Sequence, residues 1–315
     1  MMTITMSGPL TADDVDSEAR SGEPAPAQLE IRESREAKVG ALRVRRALPQ
    51  RERRTVGAWC FLDHAGPVQV MTPNDIDIGP HPHMGLQTVT WLIAGELLHR
   101  DSLGSEQAIR PGELNLMTAG RGIVHAEDGT GREPGEFHAV QLWVAQPSET
   151  RDGAAAFEHH SDLPRGEFGG AVATVLVGGL DGLASPARRD TDHVGVDLDL
   201  RGDATIPLRS ECEHALVVLA GGVTIDGQPL KPGHLAYLGL GRSELSLSPS
   251  GRARALLVGG IPFPERVSMW WNYVARTKEE ISAAHREWTQ RTDRFRLPPS
   301  QSRPVDVPPP PWEPL

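Results

Sequence analysis

The sequence predicts a mainly β protein: two antiparallel β-barrel (jelly-roll) domains in tandem, with a helix near the C-terminus. Three observations predict it. First, short apolar runs recur along the chain, among them "QTVTWLIAG", "ELNLMTAG", "HAVQLWVA", "ATVLVGG", "HALVVLAGGVTI" and "ARALLVGG". They are rich in Val, Leu, Ile, Thr and aromatics and bounded by Gly, Pro or Asp, the mark of many short antiparallel strands rather than of βα units. Second, the pattern occurs twice. "HPHMGLQTVTWLIAGELLHRDSLGSEQAIRPGELNLMTAGRGIVHAED" and "PLRSECEHALVVLAGGVTIDGQPLKPGHLAYLGLGRSELSLS" share an order of polar entry, apolar strand, Gly turn, hairpin, basic-Pro-Gly turn and return strand. Third, one convincing helical period appears, in "RTKEEISAAHREWTQRT".

In chain order, residues 1–27 are rich in Asp, Glu, Ser, Ala and Pro without any period, and read as a disordered acidic leader. Residues 28–150 carry the first copy of the strand pattern and residues 151–296 the second. In the second copy, "TIDGQP" contains the Asp-Gly pair of a tight hairpin. The helix is expected near residues 278–290: Thr277 and Glu280 have capping-box spacing, and Ile281, Ala284 and Trp288 form an apolar stripe. Residues 297–315 are proline-dense, so they are expected to run extended over the surface.

Composition narrows the function. Lys and Arg number 32 against 42 Asp and Glu, a net charge of −10, which disfavours nucleic acid and anionic membranes as partners. The two cysteines, Cys60 and Cys212, imply no disulfide framework and fit a reducing cytoplasm. The N-terminus lacks the pattern of a secretory signal, and the apolar runs fall short of the ~20 residues of a membrane span. A soluble, cytoplasmic protein is expected.

The chemistry concentrates in two places. "GPHPHMGLQT" holds His81 and His83, and "GRGIVHAED" holds His125 and Glu127, each pair one residue apart. On a strand, residues i and i+2 share a face, so two such pairs on neighbouring strands set three imidazoles and a carboxylate around one point. A single H-x-H more often means nothing; the second pair is what turns it into a candidate site. Imidazole with carboxylate suits Fe, Mn, Co, Ni, Cu or Zn, and two or three His plus one carboxylate favour non-haem iron. An H-x-H also opens the metal-dependent hydrolases built on β/α barrels, but those need alternating strands and helices.

Setting Gly95 against Gly221 and Pro111 against Pro232 aligns the two copies, and puts Pro207, Arg209, Ser246 and Ser248 at the four candidate positions. Only the first copy then has a site. The remaining residues have plainer readings. His99 and Asp101, in the "LLHRDSLG" hairpin, have the choice of lining a site mouth or forming a surface turn, and the turn is the plainer reading. His159 and His160 read as a solvated loop, and His214 and His234 as lacking partners. Cys60 reads as a core thiol, and the tryptophans of "SMWWNYV" as core or interface.

The blocks "HPHMGLQTVTWLIAGELLHRDSLG", "IRPGELNLMTAGRGIVHAE" and "GGIPFPERVSMWWNYVARTKEEISAAHREW" resemble pirin and its bacterial relatives, within the cupin superfamily. The likeness runs from about residue 30 to 290, leaving out the leader and the tail. It implies a bicupin with one mononuclear metal, most simply Fe(II), in the first barrel, held by His81, His83, His125 and Glu127. Cupins in general carry a glutamate shortly after H-x-H; here that residue is Gln87, and Glu127 supplies the carboxylate instead. Two functions follow from the resemblance. One is a quercetin 2,3-dioxygenase-like oxidoreductase that opens a flavonol with O₂ and releases carbon monoxide, with Glu127 as the general base. The other is a non-enzymatic, metal- and redox-responsive regulator of a transcription factor or metabolic enzyme.

Overall fold

The computed structural model describes residues 29–130, 134–300 and 302–313; the expected leader lies outside them. Each half of the chain folds into an antiparallel barrel made of a seven-stranded and a four-stranded sheet. In the first barrel the large sheet runs Ala156–His160, Leu114–Thr118, Leu86–Ala94, Gly135–Ala145, Trp59–Val70, Leu42–Leu48, Arg35–Val39. Its small sheet runs Ile78–His83, Ile123–Gly129, Leu97–Asp101, Glu106–Ile109. In the second barrel the small sheet is Ala204–Pro207, Glu244–Pro249, Val223–Ile225, Gln228–Leu230, the same strand order as in the first. The repeat read from the sequence is a repeat of topology.

The large sheets pack face to face. Trp59, Leu62, Val89, Trp91, Leu142 and Val144 of the first meet Ala215, Val217, Leu219, Leu256 and Val258 of the second in one apolar cluster. The Trp59 indole spans the joint, its N–H shared at 3.1 Å between the carbonyls of Val194 and Gly259. Edge strands are exchanged across it. Glu30–Glu33 pairs with His234–Gly239 in the second barrel, whereas Ala156–His160 pairs with Leu114–Thr118 in the first. Covering an edge with a strand from the other half leaves fewer unpaired backbone groups exposed.

The residue alignment of the two copies needs a one-place correction. Ser246 and Ser248 are exposed, and Leu245 and Leu247 between them are buried. Ile206 lies opposite Leu245 as His81 lies opposite His125. The interior of the second barrel therefore has Ile206, Leu245 and Leu247 where the first has its polar cluster. A slip of one residue moves every side chain to the other face of a strand, and a pattern-level alignment is blind to it.

The helix, α1 (Lys278–Thr289), starts at Thr277, whose hydroxyl accepts a hydrogen bond from Glu280 N, and buries Ile281, Ala284 and Trp288. It packs with the hairpin of Ser268–Trp270 and Tyr273–Ala275 against Met84 and Val124, the outer side of the small first sheet. Gly85 has φ +69°, and a Cβ there would collide with the Val274 carbonyl oxygen, so glycine lets the hairpin reach the sheet. The proline-rich tail is more than a surface cover. Val305 is buried in this cluster and its N–H donates to the Pro80 carbonyl at 2.9 Å, so the tail runs along the strand that carries His81 and His83.

Candidate metal centre

Two neighbouring antiparallel strands build the centre. His125 on Ile123–Gly129 lies directly opposite His81 on Ile78–His83. A bulge follows, so that Glu127 pairs with Ile78 rather than with the residue two places back. The side chains of His81, His83 and His125 are each 1% exposed and turn one way into the barrel. Their donor nitrogens lie within 4.8 Å of one another, and Nε2 of His83 stands 3.0 Å from Nε2 of His125. Two nitrogens bound at about 2.1 Å and roughly at right angles on one ion would be about 3 Å apart, so this pair already has ligand spacing.

The protons suit a ligand role as well. His81 Nδ1 is 2.8 Å from the Gly79 carbonyl, which fixes hydrogen on Nδ1 and leaves the Nε2 lone pair free. Burial drives the His81 pKa down to about 4, against the pull of the Gly79 carbonyl. Burial, then the neighbouring imidazoles, hold His83 and His125 well below the ordinary range. Three neutral imidazoles are what a divalent ion requires, since a protonated ring has no lone pair to give. The donor set fits a divalent transition metal.

Glu127 is buried on the same strand, two residues after His125, and outside the tight imidazole group. Burial first, and then repulsion from Asp128, push its carboxyl up to about 7. Gln87 is fully buried with its amide tied to the Thr118 hydroxyl at 3.0 Å.

Two readings from the sequence are corrected here. His99 and Asp101 are not a surface turn: they are 5% and 0% exposed, on the strand paired with Ile123–Gly129. The His99 ring stacks on Phe157 with centroids 4.4 Å apart, and its Nδ1 is 3.4 Å from Nδ1 of His125. The signal was available, because His99 and Asp101 have the same i, i+2 spacing as the other two pairs. His159 and His160 are half-buried on the edge strand Ala156–His160, with His159 bonded to Asn115 at 2.8 Å, not in a solvated loop. Cys60 is a core thiol as expected, fully buried, with burial raising its pKa to about 12.

Comparison with known proteins gives the chain a family. The pirin family model matches residues 41–144, and the model of the pirin C-terminal cupin domain matches 194–295. A Pseudomonas aeruginosa protein is 46% identical over 277 residues, covering 87% of this chain and 88% of its own. The chain belongs to the pirin family. A pirin-like protein of Caulobacter vibrioides is 36% identical, over 84% of this pirin and 94% of the relative. Among solved structures, quercetin 2,3-dioxygenase from Acinetobacter baumannii matches with a TM-score of 0.87 and 42% identity, over 90% of this chain and 96% of that one. An Escherichia coli pirin solved in complex with nickel(II) matches with a TM-score of 0.61 over 75% of this chain and 100% of that one, and at 18% identity shows the fold alone. Among the described residues, no helix of this pirin is long and apolar enough to cross a membrane.

Proposed function

We propose that this pirin is a mononuclear metal dioxygenase that opens a flavonol such as quercetin with O₂, and that Fe(II) is its working ion. One observation carries the reading: three buried, uncharged imidazoles converge with a buried carboxylate close by on one of their strands, and among the described residues no second such group occurs. His81, His83 and His125 would hold the ion through Nε2. Bound there, Fe(II) would supply a Lewis acid and a redox partner for O₂. Glu127 either completes the ligand set or takes the proton of the flavonol hydroxyl as general base. Trp143, edge-on to His83, and Phe157, stacked on His99, give the cluster apolar walls that keep bulk water from the developing charge.

The substrate class is supported by the 42% identity to the Acinetobacter baumannii quercetin 2,3-dioxygenase. Two buried free cysteines fit a reducing cytoplasm. The test is anaerobic reconstitution with Fe(II), addition of quercetin, then exposure to O₂. Loss of the flavonol absorbance with release of carbon monoxide is expected, abolished in Glu127→Ala. A protein that binds iron stoichiometrically and leaves quercetin intact would reject the enzyme reading in favour of a metal-dependent regulator of a protein partner.

A further inference from the structure

Asp101 and the His99 imidazole, behind His125, carry no step of the reading above, yet both are fully or nearly buried. Asp101 is 0% exposed and sits at the start of a tight turn closed by Gly104 at φ +92°. One of its carboxylate oxygens accepts from the N–H groups of Leu103 and Ser105, at 2.9 and 3.0 Å. The other faces Nε2 of His99 at 3.1 Å. His99 then presents Nδ1 to Nδ1 of His125 at 3.4 Å, and Phe157 stacked on its ring at an interplanar angle of 15° holds that plane. The ladder permits the contact, because His99 pairs with Glu127 and Asp101 with His125, which puts the His99 ring diagonal to the His125 ring.

Hydrogen-bond logic gives the proton positions for an uncharged His99. An ionised carboxylate only accepts, so His99 must donate from Nε2. A neutral His99 then has a lone pair on Nδ1, which accepts the Nδ1 hydrogen of His125. That leaves His125 with its lone pair on Nε2, the atom that faces His83 at 3.0 Å. We infer that Asp101 and His99 are positioning residues that hold His125 in the tautomer able to ligate a metal through Nε2. A turn alone would not need this arrangement: a side-chain oxygen of Asn serves an Asx turn equally well, without the cost of burying a charge. The corresponding hairpin of the second barrel, whose interior has Ile206, Leu245 and Leu247 in place of the imidazoles and Glu127, puts Ile225 and Gly227 at these positions. The inference rests on the reading that the imidazole triad holds a metal.

The decisive variant is Asp101→Asn. It keeps the size and the oxygen that serves the turn, but offers N–H to His99. His99 would then accept at Nε2 and donate from Nδ1, and His125 would have to carry its hydrogen on Nε2, where the metal should bind. Two measurements follow. In metal-free protein labelled with ¹⁵N-histidine, long-range ¹H–¹⁵N spectra should show His125 with hydrogen on Nδ1 in the wild type and on Nε2 in Asp101→Asn. Titration with Co(II), read by its visible bands and by calorimetry, should weaken about 10- to 100-fold in the variant, with altered band positions. Circular dichroism and the melting temperature of the metal-free proteins serve as the check on folding. The same tautomer and the same Co(II) affinity in both proteins would overturn the relay. A wild type that binds no Co(II) would overturn the metal reading instead, and the tautomer spectra would still decide the relay.

Discussion

His64 and His138, on the adjacent strands Trp59–Val70 and Gly135–Ala145, bring their Nε2 atoms to 2.8 Å in the interior of the protein. The contact is a hydrogen bond only while one ring offers N–H and the other a lone pair. Burial, then His138 and Arg45, hold the His64 pKa down to about 3; burial, then Arg254 and Arg45, hold His138 at about 4. An unfolded histidine takes its proton near pH 6.5, so between there and about pH 4 the unfolded chain binds protons that the folded one refuses. The stability contributed is complete above pH 6.5 and falls as the pH drops. For His64 at pH 5 the loss is about 2 kcal/mol. Urea unfolding at pH 7.5 and pH 5 should show a smaller drop in the double variant His64→Gln, His138→Gln than in the wild type. Equal drops would remove the pair as a cause of acid sensitivity.

How far such relationships could be read from the sequence depends on spacing. His81 with His83, and His125 with Glu127, were legible because strand alternation turns an i, i+2 pair into a shared face. His99 with Asp101 has the same spacing, yet Gly104 and the short polar run after it look like a surface turn and hide the pair. The turn is real, but the carboxylate that nucleates it points inward. His64 and His138 are single residues 74 positions apart, and only the pairing of their strands brings them together. The slip in the repeat has a similar origin. Pattern places strands, whereas a register fixed by cross-strand partners decides which side of each strand faces inward.

The triad predicts a stability effect apart from any turnover. A ligand that binds only the folded state raises stability by about 2.7 kcal/mol when its concentration is 100 times the dissociation constant. Saturating Co(II) or anaerobic Fe(II) should therefore raise the melting temperature of the wild type by several degrees, and a chelator should reverse it. His83→Ala removes one of the two nitrogens at ligand spacing, and should retain no stoichiometric metal after desalting and show no such shift. A melting shift of wild-type size in His83→Ala would exclude His83 as a ligand.

Glu280, in the first turn of α1, ties three segments together. Its carboxylate accepts two hydrogen bonds from the Arg151 guanidinium, both 2.8 Å, and one from the backbone N–H of Arg276 at 2.9 Å. The Arg151 bonds, set against burial, with the Arg276 N–H contribute to holding its pKa at about 2. The folded value lies below the ordinary 4.5, so this stability is present above pH 4.5 and lost as the pH falls towards 2. Glu280→Gln keeps the shape and loses the charge, and is expected to cost about 1–2 kcal/mol at pH 7 in guanidinium unfolding, little of it remaining near pH 2. A cost that is the same at both pH values would point to packing instead of charge.

Gly79 is where the tail meets the strand of His81 and His83, and it tests whether that meeting matters. A Cβ at this position would collide with the Arg303 carbonyl oxygen, although the backbone of Gly79 itself is compatible with alanine. Gly79→Ala therefore strains the tail rather than the strand. The nearest relief is for the tail to lift, giving up the Val305 N–H bond to Pro80 and the burial of the Val305 side chain. That burial is worth about 1–2 kcal/mol. Limited proteolysis with trypsin should release the segment beyond Arg296 faster in Gly79→Ala than in the wild type. A chain ending at residue 302 provides the control. With no Arg303 carbonyl to strike, the shortened protein should tolerate Gly79→Ala without further loss of stability, so the two changes should be strongly non-additive. Additive effects would mean that alanine disturbs the strand of His81 and His83 directly, and that the tail only lies beside it.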